Sequence, residues 1–224
     1  MNQMETLEDI VDAWRKATRE SDKRALWRTL ARGGWLQACR TAVQQHDRVT
    51  LTNWLDETQA TQQEILQFSG PHAAQTVYTY LACSLAVCED TVPTLVLTPP
   101  GFCRDLSLAL LGQPLRQAER DLSMTVLLVD MARNEGVVAT LTLEMLPDGS
   151  GELYPAPAFA FLRDDDFRQA EDNARAYLEQ TSFVGKHKDV RWQLQRRDNK
   201  PLTSLSGPSL GAAFALGIGK LYTE

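Results

Sequence analysis

Apolar residues recur at helical spacing through the first third of the chain. Leu7, Ile10, Val11 and Trp14 fall on one face of a 3.6-residue period. Leu26, Trp27 and Leu30 do the same after a Ser21-Asp22 cap, and Gly33-Gly34 breaks that segment. Residues 35–45 predict a third helix with Leu36, Cys39 and Val43 aligned. Thr52 opens a fourth, carrying Trp54, Leu55, Ile65 and Leu66 across a polar stretch, 56–63. Four of the five tryptophans, Trp14, Trp27, Trp35 and Trp54, lie here. They predict the core of a small helical bundle over 1–68, the alternative being an aromatic surface for a partner.

Ser69, Gly70 and Pro71 form the clearest breaker, and the period changes after them. Residues 76–87 form an apolar run, consistent with a helix or a buried strand. Residues 93–98 predict a strand ended by Pro99, Pro100 and Gly101, and 106–111 a short helix closed by Gly112. Residues 124–129 and 137–146 are β-rich. Pro155 and Pro157 confine any strand over 152–162 to a sheet edge. Asp164, Asp165 and Asp166 start a helix to about 180, with Phe167, Ala170, Ala174, Tyr177 and Leu178 on one face. Val190, Trp192 and Leu194 alternate with charged residues as a strand. The expected architecture is α/β (α+β): a helical region, 1–68, followed by an α/β domain, 71–224.

Gly207-Pro208-Ser209-Leu210-Gly211 stands at the head of the last apolar run. Proline at a helix entry sets the serine hydroxyl near free backbone N–H groups and the positive end of the dipole. A nucleophile or a bound anion gains most there. The preceding order is a helix with alanines and an aromatic, a short strand and a loop. Closed by Gly-Pro-Ser-x-Gly, it resembles the proteolytic domain of the Lon family of Ser–Lys peptidases over residues 122–224. A hairpin over 137–162, turned at Asp148-Gly149, looks like the one that precedes that helix in the family. The resemblance implies that Ser209 occupies the nucleophile position, that Gly207, Pro208 and Gly211 shape the turn, and that helix-start N–H groups form an oxyanion hole.

The surroundings of the serine depart from the family. Its Pro-Lys-Asp is Ser204-Leu205-Ser206 here, and its small residue after the serine is Leu210. Its catalytic lysine lies on the next strand-and-helix unit, whereas fifteen residues follow Ser209 in this chain. A serine hydroxyl needs a base within hydrogen-bond reach. Lys220 is eleven residues further along the same run, a rise of about 16 Å if helical. No Gly-x-x-x-x-Gly-Lys-Ser/Thr loop accompanies it. The chain is then either a piece of a longer protein or a short version that kept the shape and lost the chemistry. The resemblance thus implies a non-catalytic Lon-like interaction or regulatory module of a larger bacterial multidomain protein, of the kind linked to defence or NTPase signalling. Its partner would be another protein or the remaining domains of a longer chain, and an oligomer is open. The alternative is a serine peptidase with Ser209 as nucleophile and a lysine base from beyond Glu224 or from another subunit. A weaker option is an anion-binding module at the same helix start.

Charge and composition narrow the partners. A formal net charge of -6 argues against general affinity for nucleic acid or anionic membrane. No apolar run approaches the roughly 18 residues of a membrane span, and residues 1–20 carry no signal-peptide core, so a cytoplasmic location is expected. Cys39, Cys83, Cys88 and Cys103 fit no zinc spacing and read as buried free thiols. His46, His72 and His187 have no ligand spacing, and no metal or cofactor is expected. The acids 164–166 suit a helix start better than a divalent cation. Lys186, Lys188, Arg191, Arg196 and Arg197, with Lys200, form a local basic run: a solvated face, or a patch for phosphate or an acidic partner. His187 is an exposed loop histidine or, alternatively, the base of a triad with Ser209.

Overall fold

The computed structural model describes residues 35–60, 62–93, 95, 98–130, 135–163, 165–180, 188–200, 202 and 210–223. The two helices expected around Leu7 and Leu26, with Trp14 and Trp27, lie outside these residues. The chain divides into two compact units, Met1–Thr98 with Leu106–Pro114, and Pro99–Asp105 with Leu115–Glu224.

The first unit is helical among its described residues. α1 (Trp35–Gln44), α2 (Arg48–Ala60) and α3 (Gln62–Cys88) pack on one another. In α3 the buried positions Ala74, Val77, Leu81 and Ser84 advance by three or four, so the apolar run is a helix. Trp35 and Trp54 meet edge to face with centroids 6.4 Å apart. Cys39 and Cys83 are buried; burial pushes the Cys39 thiol up to about 12, against a hydrogen bond with Ser84. α1 ends with His46 in the left-handed region (φ 53°), where its N–H reaches Val43 O at 3.0 Å and Asp47 N–H reaches Ala42 O at 2.9 Å. Asp47 then caps α2 by accepting from Thr50 N–H at 3.1 Å.

Ser69, Gly70 and Pro71 lie inside α3 rather than between regions. Pro71 removes one ladder donor, but the helix continues, with Ala74, Val77 and Leu81 buried and α1 and α2 packed on it. Of the strand expected over 93–98, the described residues Pro93, Leu95 and Thr98 are not strand. Pro100 opens α4 (Pro100–Leu110) instead of ending a strand, because the first helical position needs no N–H.

The second unit is a mixed sheet with helices on one face. β1 (Arg120–Asp130) and β2 (Glu135–Met145) pair antiparallel along their whole length. β4 (Val190–Arg196) pairs antiparallel with β2, and β3 (Leu153–Pro155) pairs parallel with β4, giving the order β1-β2-β4-β3. The hairpin expected over 137–162 is therefore not formed: β4 lies between its two arms. Asp189 explains this. Its Oδ1 accepts from Ser150 N (2.9 Å) and Glu152 N (3.0 Å), and its carbonyl from Leu146 N (2.9 Å). The turn at Asp148-Gly149 is thereby fastened to the entrance of β4. β3, with Pro155, takes the far edge, as its prolines require.

α5 (Asp165–Glu179) and α6 (Gly211–Thr223) cover the inner face, where Val126, Leu141, Leu143, Trp192, Phe167, Phe214 and Ile218 form one core. Trp192 is fully buried, with Phe167 5.3 Å and Phe214 5.8 Å away between centroids. At Gly217 an added Cβ would run into Leu143 and Met124, so the glycine sets how closely α6 lies on the sheet. The architecture is α/β, a helical region followed by a sheet-bearing domain. Among the described residues no helix is long and apolar enough to cross a membrane.

Candidate functional site

The helix expected to follow the serine motif is present. α6 starts at Gly211, whose Cα packs on α5: an added Cβ would lie 3.4 Å from Ala170 O. Leu210, one residue earlier, is buried. Ser209, Gly207 and Pro208 lie outside the described residues, as do Lys186 and His187. Lys220 sits near the other end of α6. There it lines a cleft of about 270 Å³ with Arg120, Asp121, Leu122 and Leu221.

The rest of the basic run is dispersed. Lys188 pairs with Glu119, and Arg197 Nη2 donates to Thr125 Oγ1 at 2.8 Å. Arg196 donates to Asp198 from Nε (2.9 Å) and Nη2 (2.8 Å), and lies 3.4 Å from Glu135. Arg191 and Arg196 sit on opposite faces of β4, because side chains alternate along a strand. Both are buried. Arg191 and Arg196 are thus withdrawn from solvent, whereas Arg197 and Lys200 are exposed, Lys200 sharing Asp198 with Arg196.

Arg191 belongs to a buried polar cluster that the sequence pattern does not single out. Asp105, near the middle of α4, is fully buried. It accepts from Arg116 Nε at 2.8 Å, from Arg191 Nη1 at 3.0 Å and from Tyr154 Oη at 3.3 Å. Arg191 Nε donates to Glu144 at 2.8 Å and Nη2 to Arg116 O at 2.9 Å. Arg116 also donates to Asp148 (3.1 Å), Gly101 O (3.2 Å) and Tyr154 Oη. Burial, and then the Asp105 charge, push the Tyr154 phenol far above its ordinary value, so it stays neutral and donates. Gly101 is needed here: a Cβ would collide with the Asp189 carboxylate and the Tyr154 ring.

A second buried carboxylate lies on the inner side. Glu171 accepts from Arg163 Nη1 and Trp192 Nε1, both at 2.5 Å. Burial raises its carboxyl above the usual glutamate range, against the opposing pull of Arg163. Both carboxylates had a signal. Asp105 falls three residues after buried Phe102, and Glu171 four after buried Phe167, so each is an acid on the apolar side of its helix. Such a residue demands a partner, but its partners lie far along the chain.

These clusters are chemically closed. Their carboxylates hold guanidinium, indole or phenol donors rather than an open position beside a pocket. Among the described residues no three His, Cys, Asp or Glu side chains gather as a metal site. The outer face of the sheet differs: Leu127 is 74% exposed, Val129 54% and Val138 39%. Leu127 and Val138 are direct cross-strand partners, so these residues form one apolar patch at the β1–β2 end. No family model, curated protein or solved structure matches the chain.

Proposed function

We propose that the chain is a non-catalytic interaction or regulatory module, the role implied by its resemblance to a Lon proteolytic domain whose serine surroundings have changed. The observation that carries this is the closure of the buried ionisable groups. A general base must present an open lone pair to the reacting atom. Asp105 and Glu171 instead accept from arginines and ring donors of their own unit. The outer face supports the same role, since its exposed apolar patch at Leu127, Val129 and Val138 suits contact with another protein.

A fluorophosphonate probe on the full chain tests it. The expected result is no labelling that depends on Ser209. Labelling that disappears in Ser209→Ala would overturn the module and establish the peptidase, with its base supplied from outside the described residues.

A further inference from the structure

The two edges of the sheet are built differently. β3 is three residues long, carries Pro155 and is followed by Pro157. Shortness and proline are the usual means of blunting an edge. β1 runs from Arg120 to Asp130 with no proline and no bulge in its register. Among the described residues no strand pairs with its outer side.

Backbone alternation shows which groups face that side. Val138 O accepts from Arg197 N at 3.1 Å, and Leu146 N donates to Asp189 O at 2.9 Å. Even-numbered residues of β2 therefore bond toward β4, and odd-numbered ones toward β1. The β1–β2 register then joins even-numbered residues of β1 to β2. The N–H and C=O groups of Asp121, Ser123, Thr125, Leu127 and Val129 point away from β2, to the edge at which no described strand pairs.

We propose that this edge pairs antiparallel with β1 of a second copy of the chain, about a two-fold axis through Thr125. In that register every outward residue meets an outward residue. Thr125 faces Thr125, Ser123 faces Leu127 and Asp121 faces Val129. On the inner side Leu122 meets Leu128 and Met124 meets Val126, extending the apolar core across the junction. At each end Arg120 stands opposite Asp130 of the other copy, and Arg120 shares its cleft with Lys220. The strand is thus complementary to itself in charge at its ends and in apolar pattern on its inner side. Registers centred one or two residues either way pair fewer residues and lose the Arg120–Asp130 match. The pairing deepens the interaction role proposed above and rests on it only for purpose; its test does not involve Ser209.

Sedimentation velocity of the full chain across roughly 1–100 µM reads the result. The expected species is a dimer. Thr125→Pro removes an outward N–H at the two-fold centre, a place where an edge strand tolerates proline, and should give a monomer with unchanged circular dichroism. Arg120→Asp should weaken the dimer about tenfold by facing two acids. The double variant Arg120→Asp with Asp130→Arg should restore it. A wild-type monomer throughout the range would overturn the proposal. So would a dimer indifferent to Thr125→Pro, which would move the contact to another face, or charge variants that show no rescue.

Discussion

Side-chain hydrogen bonds run locally in the helical unit and over long distances in the sheet unit. Thr41, Thr58, Thr76, Thr79 and Ser84 each donate to the carbonyl four residues back. The exceptions are the exposed Arg48–Glu89 pair, the Thr79–Thr98 hydroxyl pair and the Cys39–Ser84 contact. In the sheet unit Arg191 and Asp105 are 86 positions apart, Arg116 and Tyr154 38, and Trp192 and Glu171 21. Bonds of the first kind adjust the course of one helix. Bonds of the second kind decide which segments become neighbours, and in a buried setting their loss strands a charge.

That contrast sets the scale of the responses. Asp105→Ala would leave two arginines without their shared acceptor and should cost about 3–5 kcal/mol in urea unfolding. A loss near 1 kcal/mol would mean that the cluster is a bystander. Glu171→Gln should show itself next, through pH. The folded-state pKa of Glu171 lies above its unfolded value, so the folded form holds the proton longer. Stability should therefore fall as pH rises from about 4.3 through the raised value, and level off beyond it. The glutamine variant should lack that decline; identical pH curves would refute the assignment. In the helical unit, His46→Gly should stabilise by about 1 kcal/mol, because glycine takes the left-handed conformation without strain. Ser84→Ala should change stability by less than about 1 kcal/mol, since the Tyr80 carbonyl it serves belongs to the helix ladder and its other contact, with the Cys39 thiol, is a weak hydrogen bond. A cost above about 2 kcal/mol there would erase the distinction between the units.

Legibility in the sequence follows the same division. The β-rich runs of β1 and β2 and the alternation along β4 are visible in the order of residues, as is the apolar face of α5, because neighbours a few positions apart carry them. Pro155 and Pro157 place β3 at an edge for the same reason. The insertion of β4 between β2 and β3 is not visible. It depends on Asp189 meeting Ser150 and Glu152, a match written in two separate stretches. Arg191 looks like a solvent-facing strand charge because nothing near it in sequence announces Asp105. Pro71 misleads in the opposite sense: a strong local signal is overridden by packing around Ala74 and Val77. The serine motif has a legible helix after it, while Ser209 itself lies outside the described residues.

The insertion of β4 also bears on how the domain is made. As the chain leaves the ribosome, β1 and β2 are complete well before residues 190–196 have been synthesised. Until then the nascent ribbon has an unfilled flank, and Leu141 and Leu143 have no Trp192 beside them. Strand pairing across such a separation is slow, and the waiting species exposes apolar surface. Translation stalled short of Val190 should therefore yield a chaperone-bound or aggregating product.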